Sequence, residues 1–169
     1  MSLKEKILRA AELQFRHRRE QGYVAPISPT PDDLIDIISK DIIVSSSDCV
    51  ADLGCGDGRW LHSFASKYNC WCFGVDKDPE RLSLSRERAV RNRLNIELLR
   101  MDLFDFNLAS MSVIIFYLFR EACTKMMDKI EKECVDGTII IVIGFQIPNR
   151  KPLKLYRSST DIPAYMYKI

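Results

Sequence analysis

The stretch Val50-Ala51-Asp52-Leu53-Gly54-Cys55-Gly56-Asp57-Gly58-Arg59 decides how this chain is read. A short apolar run, Cys49–Leu53, meets a turn with glycine at every second position. A helical pattern, Arg59–Tyr68, follows at once. Strand, glycine turn and helix form the start of an α/β unit. Glycines in such a turn permit positive φ and let a ligand approach the backbone. In open α/β sheets that ligand lies beyond the carboxyl ends of the strands.

The glycine spacing is G-x-G-x-G, not the dinucleotide pattern G-x-G-x-x-G. Asp52 stands just ahead of the loop. A carboxylate there is wrong for a pyrophosphate and right for an ammonium group. S-adenosyl-L-methionine (SAM) offers an ammonium and a sulfonium and has no phosphate. Gly54 and Gly56 are the loop positions expected to face it. The next strand pattern ends at Asp76, 18 residues after Gly58. An acid at that place can accept two ribose hydroxyls. Its neighbour Lys77 is taken with it as a cofactor-binding position. The third strand ends in Arg100-Met101-Asp102-Leu103. Asp102 is suited to accept from the adenine amino group, with Leu103 against the ring. A turn over 102–105 is the alternative reading of Asp102, and it carries less weight than the cofactor role. Three acids at three successive strand ends weigh more than one glycine turn.

Outward from this centre the pattern keeps alternating. Strands are expected at 71–75, 95–100, 112–116 and 138–145, and helices at 79 to about 92 and 121–134. This predicts an α/β fold of Rossmann-like type, a mostly parallel sheet with helices on both faces. Residues 153–157 and 162–168, separated by Ser-Ser-Thr-Asp, read as a C-terminal antiparallel hairpin on one edge. Ahead of the first strand, Thr30-Pro31-Asp32-Asp33 reads as a helix start, with Thr30 as N-cap. Residues 1–25 read as an N-terminal helical extension, with Leu3, Ile7, Leu8, Ala11 and Phe15 near helical spacing. Residues 26–169 read as the SAM-binding domain.

Composition narrows the alternatives. The chain has 169 residues, 47% hydrophobic and 28% charged, with a formal net charge of +2. That size suits about one domain. The charge is too even for a protein that holds nucleic acid by charge alone. No apolar run reaches the roughly 18 residues a membrane helix needs. The six cysteines make no C-x-x-C pair and only two histidines accompany them, so no metal site is expected. Cys70 and Cys72, at strand spacing, share a face as packing residues. Core thiols suit a reducing compartment, and the cytoplasm is the expected location. The basic residues of 1–21 leave a mitochondrial presequence open, with Glu5, Glu12 and Glu20 counting against it.

The motif residues resemble the class I SAM-dependent methyltransferases from about Pro29 to the C-terminus. Pro29-Thr30-Pro31, Gly54–Arg59, Phe145-Gln146-Ile147 and Tyr165-Met166-Tyr167 look like the small archaeal protein lysine methyltransferases and the related ATP synthase c-subunit lysine methyltransferases. The chain departs from them in having no tryptophan soon after Ile147. The resemblance implies Thr30 near the cofactor, an acceptor site beside Phe116-Tyr117-Leu118 and the hairpin, and a protein as substrate.

The post-strand segment Phe116-Tyr117-Leu118-Phe119 is not Asn/Asp-Pro-Pro-Tyr/Phe. That motif supplies acceptors for a planar amide or an exocyclic base amine. An aliphatic amine needs no such help once neutral. Lysine, with an ordinary pKa of ~10.4, keeps a small neutral fraction that burial enlarges. Tyr117 is the candidate catalytic or pocket residue, and a packing aromatic at the strand end is an equal reading of it. The arginines 81, 86, 88, 91 and 93 and the C-terminal basic residues read as solvated faces, with RNA methylation as the alternative. A non-catalytic methyltransferase-fold subunit is a third reading, opposed by the three intact acids. His62 reads as a packed or surface histidine, Trp60 and Trp71 as core or cofactor-adjacent packing.

Overall fold

The structure is a computed structural model. It describes residues 28–169, together with Leu13, Arg16, His17, residues 20–22 and Val24. The apolar positions of the expected N-terminal helix lie outside the described residues.

Helix α1 (Asp32–Asp41) precedes β1 (Cys49–Leu53), α2 (Arg59–Tyr68), β2 (Trp71–Asp76), α3 (Pro79–Arg91) and β3 (Ile96–Arg100). Then come β4 (Val113–Phe116), α4 (Arg120–Glu133), β5 (Ile139–Ile143), β6 (Lys154–Arg157) and β7 (Pro163–Lys168). The seven strands form one sheet in the order β3-β2-β1-β4-β5-β7-β6. The first five are parallel; β7 runs antiparallel to β5, and β6 antiparallel to β7. The expected Rossmann-like sheet and edge hairpin are both present. Strand order reverses between β1 and β4, which opens a crevice at the carboxyl ends of those two strands.

Alternation along the strands divides the core in two. Val50, Cys72, Val113, Ile115 and Ile141 join Leu34, Ile38, Leu61, Phe64 and Leu82 of the α1, α2 and α3 side. Ala51, Leu53, Ile114, Phe116 and Val142 join Met126 and Ile130 of α4 on the other side. Such burial is worth roughly 1.5–3 kcal/mol for each large side chain, and it fixes the strand register because a one-residue slip would expose the whole set. In β5 every residue of 140–143 is fully buried, as its β-branched run requires. The 101–112 connection holds no helix and packs Leu103, Phe106, Leu108 and Met111 into the α4-side core.

Two local readings need correction. Thr30 does not cap α1. Pro31 occupies the N-cap position without a side-chain bond, and the Thr30 hydroxyl accepts instead from Trp60 Nε1 at 3.1 Å. Trp71 is no core residue: it is 51% exposed, because it opens β2, outside the helix-covered part of the sheet. The packing reading of Cys70 and Cys72 holds. Cys55, Cys70, Cys72 and Cys123 are buried free thiols, with Cys70 and Cys72 Sγ 3.7 Å apart.

Candidate active site

The parallel register places Asp52 opposite Gly74 of β2 and Ile115 of β4, at the reversal of strand order. Its carboxyl is only 5% exposed. Burial, with Asp76 and Asp57 nearby, pushes its pKa well above the usual carboxylate range. None of the ion pairs among the described residues includes Asp52. A buried carboxyl facing two other acids is a strong attractor for a cation.

The loop after Asp52 explains why that cation need not carry a phosphate. Gly54, Gly56 and Gly58 take φ of +89°, +54° and +72°. The N–H groups of Gly54 and Cys55 both donate to Val75 O, at 2.7 and 3.1 Å. Gly56 N donates to Asp76 Oδ2 at 2.8 Å, and Gly58 N to Cys55 O at 2.9 Å. These amides are consumed inside the protein, so the loop is not a phosphate cradle of the usual kind. Gly58 is also a packing requirement. A Cβ there would meet Ser85 Oγ at 2.1 Å, and Ser85 in turn bonds His62 Nε2 at 3.2 Å. The glycine loop is thus locked onto α3. His62 is a packed histidine, as expected, with its pKa lowered by burial and by Arg88.

Asp52, Gly54, Gly56 and Thr30 share one cavity of about 300 Å³ with Tyr117 and Ile143. Five of the expected residues are therefore brought together. Asp76, Lys77, Asp102 and Leu103 do not line it. They follow one another along the neighbouring strand ends. Asp76 is held by Gly56 N and by Asp78 N, the latter at 2.9 Å from Oδ1. Asp102 receives Phe104 N on Oδ1 at 2.9 Å and pairs through Oδ2 with Lys77 Nζ at 2.8 Å. Partial burial works against its charge, but Lys77 and Phe104 N outweigh that, and its pKa lies below the usual value. The turn reading of Asp102 is correct as far as it goes, since Asp105 N also bonds Asp102 O at 3.0 Å. Leu103 is buried in the α4-side core.

The cavity also has residues that sequence reading did not name as site residues. Arg59 bonds Asp57 through Nε at 3.2 Å and Nη2 at 2.9 Å. Its Nη1 reaches Thr30 O at 3.0 Å and Asp32 at 3.3 Å. This one side chain ties the segment before α1 to the glycine loop, and it holds Asp57 below the usual carboxylate range. Trp60 is 3% exposed and lines the cavity, as one of its two readings had it. From α3, Arg81 and the 61%-exposed Leu84 complete the rim. Their only sequence signal is the helical phase that places 81, 84 and 85 on one face.

The acceptor side is built differently. Tyr117 follows β4, half-buried, with burial raising its phenol pKa against a hydrogen bond to the Ser28 side chain. Phe119 N donates to Val24 O at 2.8 Å, so the N-terminal segment passes beside this loop. Ile147 N donates to Tyr167 Oη at 2.9 Å, tying the segment after β5 to the hairpin.

A family model, described as the ANTKMT methyltransferase domain, matches residues 52–154, more than half of the chain. The chain belongs to the ANTKMT methyltransferase family. It is a SAM-dependent methyltransferase, and a buried acid cluster beside a loop whose Gly54, Cys55, Gly56 and Gly58 amides bond within the protein fits that cofactor's charge. A protein-lysine N-methyltransferase of Saccharolobus islandicus is 26% identical over 150 residues, covering 85% of this chain and 93% of the relative. Among solved structures, an RNA methyltransferase from Salinibacter ruber in complex with S-adenosyl-L-homocysteine superimposes with a TM-score of 0.78. It is 23% identical, covering 84% of this chain and 94% of that one. The precorrin 8W decarboxylase of Methanobacterium thermoautotrophicum gives 0.62 at 15% identity, covering 85% and 94%. The same fold thus serves different reactions, and the acceptor has to be argued from the site.

Proposed function

We propose that the protein transfers methyl groups from SAM to the side-chain nitrogen of lysine in a protein substrate. The observation that carries this reading is that Tyr117 and Ile143, at the ends of β4 and β5, line the cavity that also holds Asp52 and the glycine loop. That pair offers a lysine stem an aromatic and apolar wall. The similarity to a protein-lysine N-methyltransferase supports the same acceptor.

When bound, SAM supplies an electrophilic methyl carbon on a sulfonium that departs as a neutral thioether. The chain's residues hold and align. Asp52 ionises opposite the ammonium group. Asp76 keeps lone pairs for the ribose hydroxyls beyond those used by Gly56 and Asp78. Asp102, steadied by Lys77, is the acceptor for the adenine amine, with Leu103 beneath the ring. Thr30, fixed by Trp60 and Arg59, closes the cofactor's other side. The apolar wall favours the neutral form of the incoming amine and excludes water, so the main work is alignment for in-line displacement.

The RNA alternative is less well supported. Four of the basic residues available to a phosphate backbone, Arg81, Arg150, Lys154 and Arg157, each pair with a carboxylate, on Asp78, Glu131, Asp41 and Asp161. The thiol state of the cysteines favours the cytoplasm as the site of action.

The test is transfer from radiolabelled SAM into a lysate of the source cell, divided between protease and nuclease treatment. Label released by protease alone, and absent with Asp52→Ala, is the expected result. Label released by nuclease would overturn the lysine reading in favour of RNA.

A further inference from the structure

Tyr117 and Gly144 meet at the carboxyl ends of neighbouring strands, and the contact has an unusual form. Gly144 follows β5 with φ +87°. A Cβ built on it would lie 2.6 Å from Tyr117 Cε2, and 3.4 Å from both Cδ2 and Cζ. The tyrosine ring therefore occupies the space where a side chain at residue 144 would stand. Ser28 lines the same cavity as the ring. The backbone of Gly144 is itself pinned, its N–H donating to Pro163 O at 2.8 Å. Gly144 cannot retreat from the ring without breaking that bond. Any side chain at 144 would drive the ring toward the cavity that Tyr117 shares with Asp52 and Ile143.

We propose that this contact sets the depth of the acceptor pocket, and through it the number of methyl groups one lysine receives. The inference rests on the lysine reading and extends it to the product. Each transfer forms one nitrogen–carbon bond at a neutral amine, the ammonium having first lost a proton to water. Each added methyl group must then be turned away from the donor before the next attack. A wall close to the nitrogen stops the series early; a recessed wall lets it continue. Glycine at 144 lets the ring recede furthest, so the enzyme carries methylation past the first group. Differences of a single methyl are felt in a packed pocket, where one carbon changes discrimination by roughly 10–200-fold.

The experiment uses the full chain with labelled SAM and a lysate of the source cell. The labelled protein is hydrolysed and mono-, di- and trimethyllysine are separated. Wild type is expected to give mainly di- and trimethyllysine. Gly144→Ala is expected to move the label to monomethyllysine, with the higher products falling roughly tenfold relative to it. Adding Tyr117→Ala to Gly144→Ala removes the ring that the new methyl strikes, and the higher products return. Tyr117→Phe keeps the ring on Gly144 and keeps the wild-type distribution, whatever its rate. Binding of S-adenosyl-L-homocysteine (SAH) is measured beside each variant as a check on folding. If Gly144→Ala does not fold, Tyr117→Trp in the wild-type background fills the pocket from the same wall and gives the same shift.

Outcomes separate the two claims. Wild-type label that is not in methyllysine overturns the lysine reading itself. Wild-type label in methyllysine, with the same product distribution in a folded Gly144→Ala or Tyr117→Trp variant, overturns the pocket-depth inference alone. So does a wild type that stops at monomethyllysine.

Discussion

The two halves of the cavity are built from opposite materials. On the β1–β2 side, three carboxyls crowd a loop of left-handed glycines, and burial penalises the charged form of Asp52, which the folded protein holds protonated. On the β4–β5 side, an aromatic ring lies on a glycine backbone, and no described ion pair includes Tyr117, Ile143 or Gly144. The first half stores unfavourable electrostatics that a cationic ligand relieves. The second offers shape. The difference teaches that donor binding and acceptor choice can fail separately, and each half should respond to its own kind of substitution.

The largest expected effect is at Asp52. Asp52→Asn keeps the size and removes the charge, and SAH affinity should fall by about 100-fold or more, the scale for one partner of a buried charge pair. Its stability should move the other way. Above the unfolded value of 3.8 the folded wild type holds a proton that the unfolded chain has shed. Stability therefore falls as pH rises from that value through Asp52's raised one, and Asp52→Asn escapes the loss. A thermal melt without ligand at neutral pH should show the variant more stable than wild type. Ligand affinity in the wild type should rise with pH across the same window. An Asp52→Asn protein that melts lower than wild type would break the claim that this half is electrostatically loaded.

Next in size is Gly58→Ala. Its Cβ meets Ser85 Oγ and its φ is left-handed, so the cost should be about 3 kcal/mol of stability. Adding Ser85→Gly removes the clash and leaves the backbone strain, so denaturant melts of the pair should recover part of the loss and not all of it. Full recovery would mean that φ carries no strain there. The smallest effect is expected at Lys77. Its partner Asp102 is partly exposed and also held by Phe104 N. Lys77→Met should change SAH affinity by less than about threefold, in keeping with exposed ion pairs. A larger change would sharpen the picture by making Lys77 a direct ligand.

The loaded half was also the legible half. Asp52, the glycines, Asp76 and Asp102 sit in order at strand ends because local chain chemistry puts them there. A strand, a turn and a capped helix are short-range events. The strands themselves were legible within a residue or two, with Asp78 capping α3 from its side chain. The acceptor half depends on long-range packing. That Tyr117 should rest on Gly144 follows only when β4 and β5 are parallel neighbours. That Thr30 should bond Trp60 and leave α1 uncapped requires α1 and α2 side by side. Arg59 shows the same limit. Its place after the third glycine was visible, but its reach back to Thr30 crosses 29 residues of sequence. Trp71 was misread because an apolar residue in a strand pattern looks the same whether or not a helix covers it.

The most direct test of the division is calorimetric titration of SAH into three full-length proteins: wild type, Asp52→Asn and Tyr117→Ala. Binding should vanish or weaken by about 100-fold in Asp52→Asn and stay within about threefold of wild type in Tyr117→Ala. Equal losses in the two variants would contradict the account, because the acceptor wall would then be part of the donor site.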